Sequence, residues 1–268
     1  MNKCPYCRSK RLKKLGYYKS KRGKHQRFKC LDCVKTFTNK TFTINWRKRK
    51  QHLREKITDN YCERMSLRGI ARTLKIDIKM VVKYFRENAE VAKQANKKRI
   101  KTKDLMTFYV EFDQMETFEH TKRKPVGIQV SIRHKTGEIV SAKAGYIPIR
   151  ALAVSKEYST EWNRKARNST HILRMLNETK EALNRKGSLV TCDREKKQGK
   201  IAQEIYTDPF ITIQPNSKEH KRIDRVFRRM RQDLSCLGRR TLSTTKDIKQ
   251  LQKHLDLYVD YNNIKSVA

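Results

Sequence analysis

The sequence predicts an α/β protein in three parts: a small cysteine-stapled ribbon, a pair of short helices, and a domain built on a mixed five-stranded sheet with helices. Three observations predict this. Cysteines come as two CxxC pairs near the start, apolar residues recur at helical spacing between residues 67 and 85, and beyond residue 105 strand patterns alternate with helical ones. The expected bounds are 1–46 for the ribbon, 47–92 for the helices, 93–104 for a basic linker and 105–268 for the sheet domain.

The pairs Cys4-Pro5-Tyr6-Cys7 and Cys30-Leu31-Asp32-Cys33 flank a basic, hairpin-like stretch. Two such pairs can set four thiolates at the corners of a tetrahedron around one Zn²⁺, the metal standing in for a hydrophobic core. A disulfide framework fits poorly, because Cys62, Cys192 and Cys236 are scattered and odd in number. Cys4, Cys7, Cys30 and Cys33 are therefore the expected structural zinc ligands. Charge points to the partner. Sixty-five Lys and Arg against 27 Asp and Glu give a net charge of +38, a self-repulsion that a polyanion such as nucleic acid relieves. Tyr6, Tyr17, Tyr18, Phe28, Phe37, Phe42 and Trp46 lie among these charges, which argues for a folded basic module over a disordered tail.

In the second part, Leu67, Ile70, Ala71 and Leu74 share one helical face. A turn at Ile76-Asp77 follows, then a short helix with Met80, Val81, Tyr84 and Phe85 inward. Two short helices about a tight turn form a helix-turn-helix, whose second helix would turn Lys79 and Lys83 toward DNA. The run from Lys93 to Lys103 is polar and basic and reads as the linker.

The third part opens with a strand, Phe108 to Asp113, that ends on a carboxylate. Val126–Ile132 and Glu138–Lys143 complete a meander, with Lys135-Thr136-Gly137 as the second turn. A long connection containing Trp162 leads to a helix capped near Ser169-Thr170 and ending at Gly187. Ser188–Asp193 is a fourth strand ending on a carboxylate. A helix near Gly199–Tyr206, a fifth strand at Phe210–Ile213, and helices at His220–Leu237 and Ile248–Tyr261 follow. The order βββαβαβα is that of a ribonuclease H-like fold. In such a meander the fourth strand pairs with the first, so Asp113 and Asp193 converge. Carboxylates so gathered can hold two Mg²⁺ or Mn²⁺ ions for in-line phosphodiester cleavage. Asp224, one turn into the following helix, is the expected third ligand, with Glu219 its nearest rival.

These residues carry a family resemblance. Cys-Pro-x-Cys, the run His25-Gln26-Arg27-Phe28-Lys29-Cys30, and Cys33-x-Lys35-Thr36-Phe37 before a helix-turn-helix resemble the N-terminal half of transposases of the insertion sequence one family. Phe112-Asp113-Gln114-Met115-Glu116-Thr117-Phe118 is similar to the family's first catalytic strand. Asp224-Arg225 through Leu237-Gly238-Arg239-Arg240-Thr241-Leu242-Ser243 is similar to its terminal helix and the loop behind it. The resemblance implies a DDE-type transposase in which Asp113 and Asp193 match the first two metal ligands and Asp224 stands where the family generally places Glu. Glu116 replaces an aromatic common soon after the first Asp. The stretch from Ile147 to Asn168 is expected to be an inserted DNA-contacting element.

The expected function is a transposase that binds its element's ends, nicks at the 3′ end and joins the freed 3′-hydroxyl to target DNA, working as a homo-oligomer on double-stranded DNA. Arg225, Arg228, Arg229, Arg231, Arg239 and Arg240 would hold phosphates near the metals. No stretch approaches the roughly 20 apolar residues of a membrane span, so a soluble, cytoplasmic, nucleoid-associated protein of a prokaryote is expected. The competing readings are a noncatalytic DNA-binding regulator that kept the fold, and an RNA-associated structural protein, which would account for the charge but not for paired strand-end carboxylates.

Overall fold

The computed structural model describes residues 3–20, 23–42, 52–100, 109–121, 123–149, 170–182, 188–192, 211–215, 221–238 and 247–265, with scattered positions among 160–166 and 201–205. The chain divides into two compact units, Met1–Arg54 and Glu55–Ala268.

In the first unit, β1 (Leu12–Ser20), β2 (Gly23–Cys30) and β3 (Thr36–Thr38) form an antiparallel sheet in the order β1-β2-β3. The β1–β2 register shifts between Lys14 and Tyr17, where Gly16 takes a φ of +83°, the left-handed value that glycine adopts without strain. Cys4, Cys30 and Phe37 are buried, with Leu12, Phe28 and Cys33 packed against them, and Phe28 stacks on Phe37 at 5.7 Å. A core this small cannot by itself offset the entropy of ordering the chain.

The second unit begins with helices. Between α1 (Leu53–Cys62) and α3 (Ile78–Ile100) lies α2 (Leu67–Thr73), capped by Ser66, whose hydroxyl accepts from the Gly69 N–H at 3.1 Å. Lys75, at a φ of +50°, ends α2, with the Ile76 N–H on the Ala71 carbonyl and the Lys75 N–H on that of Arg72. Asp77 then starts α3 by accepting from the Lys79 N–H at 2.6 Å. The tight turn thus forms as the sequence predicts, but α3 is a helix of 23 residues and runs through most of the expected linker. Its inward residues Val81, Tyr84, Phe85, Ala89 and Ala92 are buried, and further along the Asn96 amide donates to the Val140 carbonyl at 3.0 Å. Arg99 reaches Glu138 and Asp260, both at 3.6 Å. Residues 93–100 look like a tether in sequence because they are polar, yet their polar groups are what dock them.

The sheet contains β4 (Tyr109–Phe118), β5 (Pro125–Arg133), β6 (Ile139–Tyr146), β7 (Ser188–Cys192) and β8 (Ile211–Pro215) in the order β6-β5-β4-β7-β8. The first three are an antiparallel meander, while β7 runs parallel to β4 and β8 parallel to β7. Asp113 does not end its strand as expected. The β4–β5 hairpin continues to Phe118↔Pro125, and among the described residues β4 pairs with β7 from Tyr109↔Leu189 to Phe112↔Cys192. Alternation along β4 sends Val110 and Phe112 to one face, where they pack with Ile172, Met175 and Leu176 of α4 (Thr170–Ala182) and with Ala202. Glu111, Asp113 and Met115 take the other face. Helix α5 (Lys221–Asp233) packs against β4 and β5, and α6 (Ile248–Lys265) against β6 and α3.

Edge strand β6 is closed by side-chain amides. Asn263 accepts from the Ile139 N–H at 3.0 Å and donates to its carbonyl at 2.8 Å, and Gln252 does the same for Ala144 N–H and Ala142 C=O, each at 3.0 Å. With Asn96 on Val140, helices α3 and α6 occupy hydrogen-bonding groups that an exposed edge would offer to another chain. In the expected inserted element, Trp162 is buried, donates to the Ile147 carbonyl at 3.1 Å and meets Tyr146 edge-on at 4.8 Å. No helix among the described residues is long and apolar enough to cross a membrane.

His254 of α6 stacks with Tyr61 of α1 at 5.0 Å and lies 4.6 Å from the Phe85 ring of α3. Burial lowers its pKa to about 4. Below the unfolded value the denatured chain takes up a proton that the folded one refuses, so this site's stability is full above about pH 6.5 and is lost as pH falls toward 4. Urea unfolding at pH 7.5 and 4.5 should show His254→Phe losing about 2 to 3 kcal/mol less than wild type over that interval.

Candidate functional site

Each CxxC pair builds the same turn. The Cys4 N–H donates to the Ser9 carbonyl at 2.8 Å and the Cys30 N–H to the Lys35 carbonyl at 3.0 Å, so both turns close over five residues. The residue after each second cysteine is left-handed, Arg8 at a φ of 61° and Val34 at 59°. The two turns face each other, with Cys4 and Cys33 sulfurs 3.6 Å apart and Cys7 and Cys30 sulfurs 3.5 Å apart. Those spacings are far beyond a disulfide bond, and all four ligand atoms lie within 4.8 Å of one another. Four sulfurs about 2.3 Å from a shared centre would be spaced in this way, so the donor set fits Zn²⁺. Among the described residues this is the group of three or more ligand side chains gathered closely enough to hold a metal.

The backbone N–H groups of Cys33 and Asp32 face the Cys30 sulfur and draw its pKa down to about 6. The Ser9 N–H favours the Cys7 thiolate in the same way, yet burial and the three neighbouring thiols push Cys7 up to about 12. Arg11 binds Asp32, holding that carboxyl below its ordinary range, and Lys35 sits 4.8 Å above the Tyr6 ring.

On α3, Lys79 and Lys83 are exposed, as is Arg86 one turn further along. With Ile78, Val82 and Glu87 they line a groove of about 450 Å³. Spacing i, i+4, i+7 puts Arg86 on the same stripe as Lys79 and Lys83, a signal already present in the sequence.

Of the expected carboxylates, Asp113 is half-buried on β4 and accepts from the Gln114 N–H at 2.6 Å. Asp224 is exposed in the first turn of α5. Asp193, Glu219, Arg239 and Arg240 lie outside the described residues. Arg225, Arg228 and Arg229 are exposed along α5, and Arg231 is half-buried. Asp233 of the same helix accepts from the Tyr258 hydroxyl at 2.8 Å and so serves packing.

A further group, Glu111, His134 and Arg222, is not marked by the sequence. Glu111, on the same face of β4 as Asp113, is 1% exposed and touches Nδ1 of His134, which stacks on Tyr109 at 3.9 Å. Arg222, in the first turn of α5, donates to the carbonyls of His134 and Lys135. Nothing in their spacing marks them, since the β5–β6 turn brings them together only in the fold.

No protein-family profile matches the chain. Insertion element iso-IS1N protein InsA of Shigella dysenteriae is 32% identical over 87 residues, 32% of this chain and 90% of that protein. Among solved structures, the Mos1 strand transfer complex aligns over 80% of this chain and 74% of the other at 9% identity and a TM-score of 0.29. A pre-cleavage Mos1 transpososome aligns over 80% and 75% at 8% identity and a TM-score of 0.27. Scores this low establish neither a shared fold nor a shared activity.

Metal analysis of the purified chain should give one zinc per molecule, and Cys4→Ala or Cys30→Ala should abolish stoichiometric binding. A β-branched residue strains the left-handed position of Val34, so Val34→Gly should stabilise the zinc-loaded first unit by about 1 kcal/mol in thermal unfolding.

Proposed function

The chain belongs to the family of the insertion-element protein InsA, and on that premise we propose that it is a DNA transposase of the DDE type with a ribonuclease H-like catalytic domain. The carrying observation is the parallel register of β4 and β7. It pairs Phe112 with Cys192, and each of these residues directly precedes an aspartate in the sequence. Adjacent parallel strands in this register, each followed or continued by an aspartate in the sequence, support a shared carboxylate site. Asp224 opens the helix that packs against β4 and β5, which supports its role as third ligand.

Carboxylates crowded together repel one another and are tolerated when a divalent cation neutralises them. Asp113, Asp193 and Asp224 would hold Mg²⁺ or Mn²⁺, ions that prefer oxygen donors. When bound, such a pair supplies charge stabilisation to the attacking and leaving oxygens of an in-line displacement. In the first step a water oxygen bonds to phosphorus at the element's end and the 3′ oxygen leaves as a hydroxyl. In the second, that hydroxyl attacks a target phosphodiester, so one P–O bond forms as another breaks. The exposed arginines of α5 would bind phosphates beside this site. The stripe Lys79, Lys83 and Arg86 would enter the major groove as the second helix of a helix-turn-helix, and the zinc-stapled first unit would add phosphate contacts. The protein is expected to act on double-stranded DNA as a homo-oligomer.

One observation favours a second reading, a DNA-binding regulator without catalysis. The 87 matched residues make up 90% of the InsA relative, so that protein is about 97 residues long and has no room for a counterpart of the whole 55–268 unit. Nicking and strand transfer on a labelled element-end duplex separates the two. Wild type should cleave with Mg²⁺ or Mn²⁺. Asp113→Asn and Asp193→Asn should lower the rate ~10³-fold or more, since each removes several kcal/mol of transition-state stabilisation, while leaving DNA affinity intact. If Asp224 is the third ligand, Asp224→Asn behaves alike and Glu219→Gln is nearly silent. A wild-type chain that binds end DNA but cleaves with neither ion would establish the regulator.

A further inference from the structure

A second pocket, of about 400 Å³, opens where α3, β6, α4 and α6 meet. Its charged lining is Lys93 of α3, Arg174 of α4, and Lys249 and Lys253 of α6, with the carboxylates Glu90 and Asp256. Four cations against two acids leave it net positive (4 − 2 = +2). The acids are partly engaged, since Asp256 accepts from the Gln252 amide at 2.8 Å, and burial raises its pKa while Lys143 and Lys93 oppose that shift. None of the four cations has a salt-bridge partner among the described residues, whereas nearby Lys143 is paired with Glu178 at 2.8 Å. The floor is built for close approach. The His171 ring lies against Gly145 of β6, where any Cβ would come within 1.9 Å of Nδ1.

Position along α3 relates this pocket to the groove. Residues 79, 83, 86, 90 and 93 follow the i, i+4, i+7, i+11, i+14 spacing of one helical stripe, so the groove and the pocket share a face of α3. Fourteen residues of helix span about 21 Å, well beyond the ~12 Å width of a major groove. With Lys79 at the base edges, Lys93 must lie outside the groove, at the level of the flanking backbone.

We propose that the pocket formed by Lys93, Arg174, Lys249 and Lys253 seats a backbone phosphate of the same duplex whose major groove α3 enters. The proposal rests on the DNA-binding reading above and adds a second, sequence-independent clamp to it. The clamp fixes how far the duplex lies from the sheet, because α3 and β6 both contribute to its walls.

The test uses the full-length protein and measures duplex affinity against salt for wild type, Lys249→Gln/Lys253→Gln, Arg174→Gln and Lys79→Ala, with thermal melting to confirm folding. Arg174 and Lys249 are exposed and removable without disturbing the core. The double variant should bind roughly 10- to 100-fold more weakly and lower the salt slope by about 1 to 2, equally on end and random duplexes. Lys79→Ala should cost more on end DNA than on random DNA. Wild-type binding with an unchanged slope in both pocket variants would overturn the pocket and leave the DNA-binding reading standing. A wild type that binds no duplex would overturn both. Millimolar inorganic phosphate should not compete with the duplex; if it binds at the pocket and the pocket variants lose that binding alone, the site takes free anions and the proposal is wrong.

Discussion

The parallel pairing of β4 with β7 is the interaction on which the second unit depends. Parallel neighbours cannot be joined by a hairpin, so the chain must leave the meander after β6 and return through a crossover that includes α4. That crossover buries Val110 and Phe112 under Ile172, Met175 and Leu176, each worth about 1.5 to 3 kcal/mol when fully removed from water. With one face of β4 committed to α4, alternation sends Glu111 and Asp113 to the other. The chemistry proposed for the chain therefore follows from strand order and a two-residue period.

Charge is the second constraint. At +38 the folded chain repels itself, and each unit manages this with few acids. The first has one acid, Asp32, joined to Arg11, and relies on its cysteine cluster for a centre. In the second, the buried pair Arg133–Glu138 at 2.8 Å is extended by Arg99 to Asp260, tying α3 to β6 and α6. Burial lowers the Arg133 pKa, with Glu138 opposing that shift, as expected when desolvation competes with a close partner. The cations left over lie in stripes and pockets, where a polyanion can meet them.

Much of this was legible in the sequence because short-range rules govern it. Two CxxC pairs specify their turns locally, the Ser66 cap and the turn before Asp77 are written in a few residues, and the strands of the meander show their period. The length of α3 was hidden because Lys97, Lys98 and Arg99 read as a solvated run, while the partners that hold the helix, Val140, Glu138 and Asp260, lie 39 or more residues away along the chain. The true end of β4 was obscured by Gln114 and Glu116, whose polarity suggests a loop although both stand in the hairpin ladder. Glu111, His134 and Arg222 were invisible as a group, since only the β5–β6 turn and the start of α5 make them neighbours.

The central proposal is that Asp113 and Asp193 share divalent metal. Anomalous diffraction from crystals of the full chain with an end duplex and Mn²⁺ tests it most directly. The account predicts two manganese peaks about 4 Å apart, with Asp113 oxygen among the ligands at roughly 2.2 Å. Bound duplex with no manganese at Asp113 would contradict it.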